Sequence, residues 1–331
     1  MEAPRHHAAR VLAATAAARR ARSLILGDFD IRGGKVYLRQ TGNSAALDRR
    51  LLAEVATWLG FIAIVFARAA VLRVLHRQGP AIWFTPQRPH PRYMVRAAAL
   101  WAGIPVARTA GQGRVAFYLE DTTSALPPAP TLAGHFNFGC GDISKSRVAA
   151  VFEQVFGYPL AIDPRCWNGP AIEKSETNGT HDGRIIDCPC EPLPGKVYER
   201  LIDTIGGDGL ASDLRTHCIG GVPVVVWIKR REAAVRFLPP NVSATTHAPA
   251  EVFSQEQLVL IGAFAKAMGA DWCGLDILRD NADGRIYIVD VNKTDAGPIV
   301  ALSWRDKLVS TALLARALRD MVDAGSKIRP S

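Results

Sequence analysis

The sequence predicts an α+β fold preceded by a small α/β segment and an N-terminal helical stretch. Three patterns carry that expectation. Paired β-branched runs joined by short glycine-containing turns occur at 213–231 and 271–298, the pattern of antiparallel hairpins. Helical stretches stand between and before these hairpins, the clearest being Ser254–Met268. From Gly79 onward the rhythm is strand, helix, strand, which suggests a partly parallel sheet. At 331 residues the chain can bury a sizeable core and hold more than one domain, with boundaries placed at 1–78, 79–134 and 135–331.

Composition narrows the class. With 48% hydrophobic and 21% charged residues, long disorder is not expected. A net charge of +9 favours anionic partners without choosing among them. Six cysteines in a chain of this length do not make a disulfide scaffold, so reduced thiols and a cytoplasmic setting are the default. Several common motifs are missing. Gly195-Lys196 is followed by Val197, so no P-loop is present, and no G-x-G-x-x-G, G-x-S-x-G or H-E-x-x-H occurs. Cys188 and Cys190, with Cys166 and His181 nearby, lack C-x-x-C spacing and a second pair, so no zinc site is expected.

The elements follow in order. Met1–Ser23, rich in Ala and Arg with the single acid Glu2, reads as a basic tail; a membrane or nucleic-acid arm and a targeting peptide are the alternatives, and no secretory signal is evident. Leu24–Leu26 and Val36–Leu38 are strand-like, with a Gly-Gly turn between them. Asp48–Arg77 is a long helix capped by Asp48. Its charge-free run, Val55–Ala67, has 13 residues, short of the roughly 20 a bilayer requires. A buried or docking helix is therefore expected, with peripheral membrane contact through 48–77 as the alternative. Ala81–Thr85, Ile104–Ala107 and Val115–Leu119 are strands, Arg92–Trp101 is a helix, and the Pro- and Thr-rich stretch 122–133 is a linker. A helix from Asp142 or Ser144 should end at Gly157.

Chemistry concentrates further on. Lys145 lies in the first turn of that helix, a position that favours acids unless an anion is near. A strand at Ala171–Lys174 runs into the small-residue loop Ser175–Gly183, whose Ser175, Asn178, Gly179 and Gly183 could fold closely over an anion. Asp213, Arg215 and His217 alternate with Leu214 and Thr216, so the three polar side chains share one strand face. In the last hairpin, Asp290 and Asn292 share a face, and Asp276 should lie opposite Ile288–Asp290. Close carboxylates repel unless a cation joins them, and oxygen-only ligands suit magnesium. Taken alone, the hairpin is equally well a solvated edge with a polar outer face.

The order Lys145, Lys174 with its loop, Glu199, Asp213-x-Arg215, Asp276 and Asp290-x-Asn292 resembles the ATP-grasp superfamily over about His135–Pro298, in particular its glutathione synthetase and ribosomal-protein glutamate ligase type. The resemblance implies an ATP-grasp fold of two α+β subdomains clasping ATP. It implies Mg²⁺, in two ions, on Asp276, Asp290 and Asn292. It implies phosphate contacts from Lys145 and Lys174, and a nucleotide hinge at Glu199, Arg200, Leu201 and Ile202. Asp213 would lie by the ribose, and Arg215 by the transferred phosphate. The implied activity is ATP-dependent carboxylate–amine ligation of small-molecule or peptide substrates, with Arg215 and Lys174 catalytic and nucleic acid not expected as a partner. Phosphotransfer and non-catalytic nucleotide sensing are the alternatives. The chain departs from the family at Lys293–Pro298, where its own substrate would be chosen.

Overall fold

A computed structural model describes residues 29–38, 44–180, 182–237 and 241–328. The readings of Met1–Ser23, Leu24–Leu26 and His181 lie outside those residues. The chain divides into two compact units, 1–56 and 57–331.

In the first unit, β1 (Phe29–Arg32) and β2 (Lys35–Leu38) form an antiparallel hairpin, and β3 (Ser44–Ala46) adds to β2. The turn needs left-handed backbone at Gly33 and Gly34 (φ 55° and 71°), which glycine adopts without steric cost. Helix α1 (Arg49–Val74) starts here, and Asp48 Oδ1 accepts from the Leu51 N–H at 2.8 Å, the expected cap.

The helix forms as expected, but the reading of its apolar stretch as too short to cross a membrane needs correcting, and so does its expected burial. It runs unbroken through Glu54 and Arg68, so the 13-residue apolar run does not limit it. Its stretch Leu51–Val74, 24 residues, is long and apolar enough to cross a membrane by length and composition, and only 11% of that window is buried. Within the second unit one side of α1 is docked. Phe61 and Val65 are fully buried against Ala97, and Arg68 Nε donates to the Trp101 carbonyl at 3.0 Å.

The second unit holds three sheets. β4 (Ile82–Pro86), β5 (Val115–Leu119) and β6 (His135–Phe136) are parallel, as the strand–helix–strand rhythm suggests, with α2 (Met94–Trp101) following β4. The strand expected at Ile104–Ala107 reduces to a single bridge, Ile82 to Val106. After α3 (Lys145–Phe156), ended by left-handed Gly157, come β7 (Gly169–Ser175), β8 (Arg184–Cys188) and β9 (Lys196–Arg200), with β7 central. The largest sheet is antiparallel. It is built from β10 (Leu210–Ile219), β11 (Val222–Glu232), β12 (Ser243–His247), β13 (Trp272–Arg279) and β14 (Ile286–Asn292), in the order β12-β11-β10-β13-β14. Short α4 (Pro249–Val252) and α5 (Gln255–Ala267) connect β12 to β13. The chain closes with α6 (Trp304–Gly325).

Strand alternation sorts the large sheet into two environments. Leu214, Cys218, Leu275 and Ile288 join one core with Val148 and Phe152 of α3 and Phe264 of α5. The opposite face carries Asp213, Arg215 and His217, with Trp227 opposite Arg215 in register, and Trp227 and Trp272 join a second core with α2, α6 and β4–β5. The 79–134 segment therefore shares its core with the large sheet. Neither β12 nor α6 was anticipated. A local signal for α6 was present, since Ser303 Oγ accepts from the Asp306 N–H at 3.1 Å ahead of the periodic apolar residues Leu314, Leu318 and Val322. Burying each of those three side chains is worth roughly 1.5–3 kcal/mol.

Candidate active site

The predicted site residues converge on one cleft of about 430 Å³ in the second unit. Its floor is the polar face of the large sheet, and β7 and β9 with loop residues 178–180 and 182–183 form the opposing wall. Strand register sets the floor. Asp213 lies opposite Lys229, Arg215 opposite Asp276, and Asp276 opposite Asp290 across the last hairpin, as the spacing suggested.

Each floor carboxylate is held by a cation. Asp276 accepts from Arg215 Nη1 and Lys229 Nζ, both at 2.7 Å. Lys229 also lies 2.6 Å from Asp213 Oδ2. Lys145 pairs with Asp290 and donates to Asn178 Oδ1 at 2.9 Å. With its amide oxygen turned toward Arg215, Asn292 accepts from Nη1 at 2.6 Å. Burial pushes the Asp276 carboxyl up, but Arg215 and Lys229 outweigh it and hold the group well below the usual carboxylate range. Asp213 moves the other way, raised by burial and by the neighbouring Asp276 charge despite Lys229.

The wall is equally ordered. Lys174 pairs with Glu199 at 2.7 Å and donates to the Val289 carbonyl at 3.2 Å. Glu199 is raised by burial, with Lys174 offsetting it, and its Oε1 has no partner among the described residues. The loop is tied at both ends. Asp182 accepts from the Ser175 N–H and Oγ at 3.1 and 2.5 Å, and Asn178 Nδ2 donates to the Val291 carbonyl at 3.3 Å. Gly179 takes φ 78°, and the space a Cβ on Gly183 would need is limited by Phe237 at 3.1 Å. Arg200 and Ile202 line the cleft beside Glu199, whereas Leu201 between them does not. Ile172, Ile202 and Leu278 supply an apolar stretch next to the Glu199 carboxylate, a surface suited to a flat heteroaromatic ring.

Sequence reasoning missed two residues. Lys229 bridges Asp213 and Asp276, and its signal was its place in the apolar run 222–231, opposite Asp213 in the hairpin register. Asp295 is fully buried beneath the floor, accepting from Arg215 Nη2 at 2.5 Å, with His217 Nε2 also 2.5 Å away. Burial pushes its carboxyl up, and Arg215 and His217 bring it down to about 2. The expectation that 293–298 chooses substrate is thereby narrowed, since of these six residues only Ala296 lines the cleft.

Two glycine and lysine positions yield tests. A Cβ on Gly274 would sit 2.7 Å from Asp295 Oδ2 and 2.8 Å from Arg215 Nε, so only glycine leaves room for that ion pair. Gly274→Ala is expected to lower stability by about 1–3 kcal/mol in urea unfolding. Lys293 is buried, its Nζ has no hydrogen-bond partner among the described residues, and its main contact is the Tyr118 ring at 5.6 Å. Burial lowers its pKa. Lys293→Met should raise stability by about 1 kcal/mol, read from the same unfolding curves.

The donor set fits a hard divalent cation. Asp276 and Asp290 face each other in register, and every candidate ligand atom is oxygen. No group of three or more His, Cys, Asp or Glu side chains that could hold a metal occurs among the described residues. Both Asp276 oxygens are engaged by Arg215 and Lys229, and the Asn292 oxygen by Arg215.

No family model matches the chain, and no curated protein matches it in sequence. Solved structures do resemble it. The ATP-grasp ligase PsnB complexed with a minimal precursor is 13% identical, with a TM-score of 0.48, covering 76% of this chain and 100% of that one. D-alanine–D-alanine ligase from Bacillus anthracis complexed with ATP is 12% identical, with a TM-score of 0.45 and coverage of 75% and 97%. The L-amino acid ligase from Bacillus licheniformis is 14% identical, with a TM-score of 0.42 and coverage of 76% and 78%.

Proposed function

We propose that the chain is an ATP- and Mg²⁺-dependent ligase that joins a carboxylate to an amine. The observation that supports this most directly is the facing pair Asp276–Asp290 with Lys145, Lys174, Arg215 and Lys229 around it, a cleft floor built to handle polyphosphate and metal charge. When bound, Mg²⁺ on Asp276, Asp290 and Asn292 would neutralise phosphate charge.

In the proposed reaction a carboxylate oxygen of the substrate attacks the γ-phosphorus of ATP and ADP leaves. The amine nitrogen then attacks the acyl carbon of the resulting acylphosphate, losing a proton as inorganic phosphate departs. The chain's own groups bind, orient and exclude water. Lys145 and Lys174 place positive charge along the phosphates. Their present carboxylate partners, Asp290 and Glu199, hold both ammonium groups in position. Arg215, fixed between Asp276 and Asp295, stabilises negative charge as it moves during transfer. The unpartnered Glu199 Oε1 is placed to accept a hydrogen bond from an adenine amino group or a ribose hydroxyl. Loop 176–183, tied to β14 through Asn178, covers the phosphates and keeps water from an acylphosphate.

The test is stoichiometry across a panel of carboxylates and amines. A ligase releases ADP and inorganic phosphate in step with an amide. Phosphate retained on a product would make the chain a phosphotransferase instead, and ATP binding with no ADP formed across the panel would make it a nucleotide sensor.

A further inference from the structure

Helix α1 has its polarity reversed relative to an ordinary surface helix. Between Leu51 and Leu72 its only charged residues are Glu54 and Arg68. Their spacing from Phe61, Val65 and Leu72 puts all five on one side of the helix. Within the second unit, from Phe61 onward, that side is the docked one. Phe61 and Val65 are fully buried, the Arg68 guanidinium lies 4.8 Å over the Trp101 ring, and a Cβ on Gly60 would strike the Trp304 ring at 2.5 Å. The side facing away is apolar. Leu59, Ile64, Phe66, Val71 and Val74 are 40–76% exposed, and Ala63, Ala67 and Ala70 fill the gaps between them. An uncovered face of this size on a water-soluble helix is unfavourable unless something else covers it.

Its C-terminal end indicates what covers it. Arg73 falls on this same outer side and is exposed. At 1.5 Å per residue the apolar strip from Thr57 to Arg73 is about 24 Å long. Arg77 extends the basic end beyond the helix. A broad apolar strip with a cationic end matches an acyl layer below anionic headgroups, whereas a helix pairing with a second copy needs only a narrow apolar seam. Within the second unit the contacts through Phe61, Val65, Gly60 and Arg68 hold the helix side-on to its neighbours, an orientation suited to lying along a membrane plane.

We propose that the outer face of α1 is a membrane-binding surface that seats this chain on an anionic lipid bilayer. The test is co-sedimentation of the full chain with vesicles of phosphatidylcholine alone and of phosphatidylcholine with phosphatidylserine. Preferential pelleting with the anionic vesicles, weakened by salt, is expected. The double variant Leu59→Glu/Phe66→Glu should reduce partitioning by at least about tenfold, because it removes two apolar side chains that would enter the bilayer and adds charge. Both residues face away from the core and lie outside the cleft, so circular dichroism and ATP binding should match the parent. Three results would overturn the proposal. They are equal or absent binding to both vesicle types, a double variant that pellets like the parent, and a lipid-free dimer that the double variant dissociates.

Discussion

Asp290→Ala combined with Asn292→Ala is expected to lower Mg²⁺-dependent ATP turnover by at least about a hundredfold. Together they remove two of the three oxygen ligands that the last hairpin offers. Asp290 is also the partner of Lys145, a buried lysine. In the double variant that ammonium keeps only the Asn178 oxygen, and it should pull the 176–183 loop out of register with the phosphates. The fold should persist, because neither side chain belongs to a hydrophobic core and both end a strand whose apolar residues Ile286, Ile288 and Val291 remain packed. The check is ADP release against a Mg²⁺ titration, with a thermal melt as control. Retained turnover at parental Mg²⁺ dependence would mean that the metal is held elsewhere.

The largest expected effect on stability belongs to Asp295. Its carboxylate is fully buried between Arg215 and His217. Asp295→Asn keeps the shape but leaves Arg215 with Asp276 as its remaining anion, and removing one partner of a buried pair costs about 3–5 kcal/mol. The pH dependence is distinctive. Because the native carboxyl is held down at about 2, its contribution is full above the ordinary carboxylate range near ~4. It is lost as pH falls from there through the native value, so the parent should show a steep acid limb. Urea unfolding across that range should give a flatter limb for the variant. Parallel limbs would show that Asp295 does not titrate between these two states. Since Asp295 orients Arg215, turnover should also fall, while ATP affinity set by Lys145 and Lys174 changes little.

What was legible in the sequence was local. The turns at 220–221 and 280–284, the Asp48 cap and the Gly157 stop lie where composition put them, because each depends on the φ/ψ freedom or capping oxygen of one or two residues. Face alternation was legible too, which is why Asp213, Arg215 and His217 could be assigned to one wall before any partner was known. Ile104–Ala107 failed as a strand because propensity cannot say whether a neighbouring edge is free to pair, and only Val106 finds one.

By itself, then, the sequence determined the hairpins, their polar faces and an ordered series of lysines and carboxylates, since strand period and turn chemistry act over a few residues. Only the tertiary structure decided which charge meets which. Lys229 reaches Asp276 across β10, Asp295 passes beneath the floor to Arg215, and Lys145 meets Asp290 from 145 positions away. It also decided that the side of α1 bearing Phe61 and Val65 faces inward and the side bearing Leu59, Phe66 and Val71 outward. That assignment depends on where Ala97 and Trp101 lie, and a helix's own periodicity cannot tell which of its sides another element will cover.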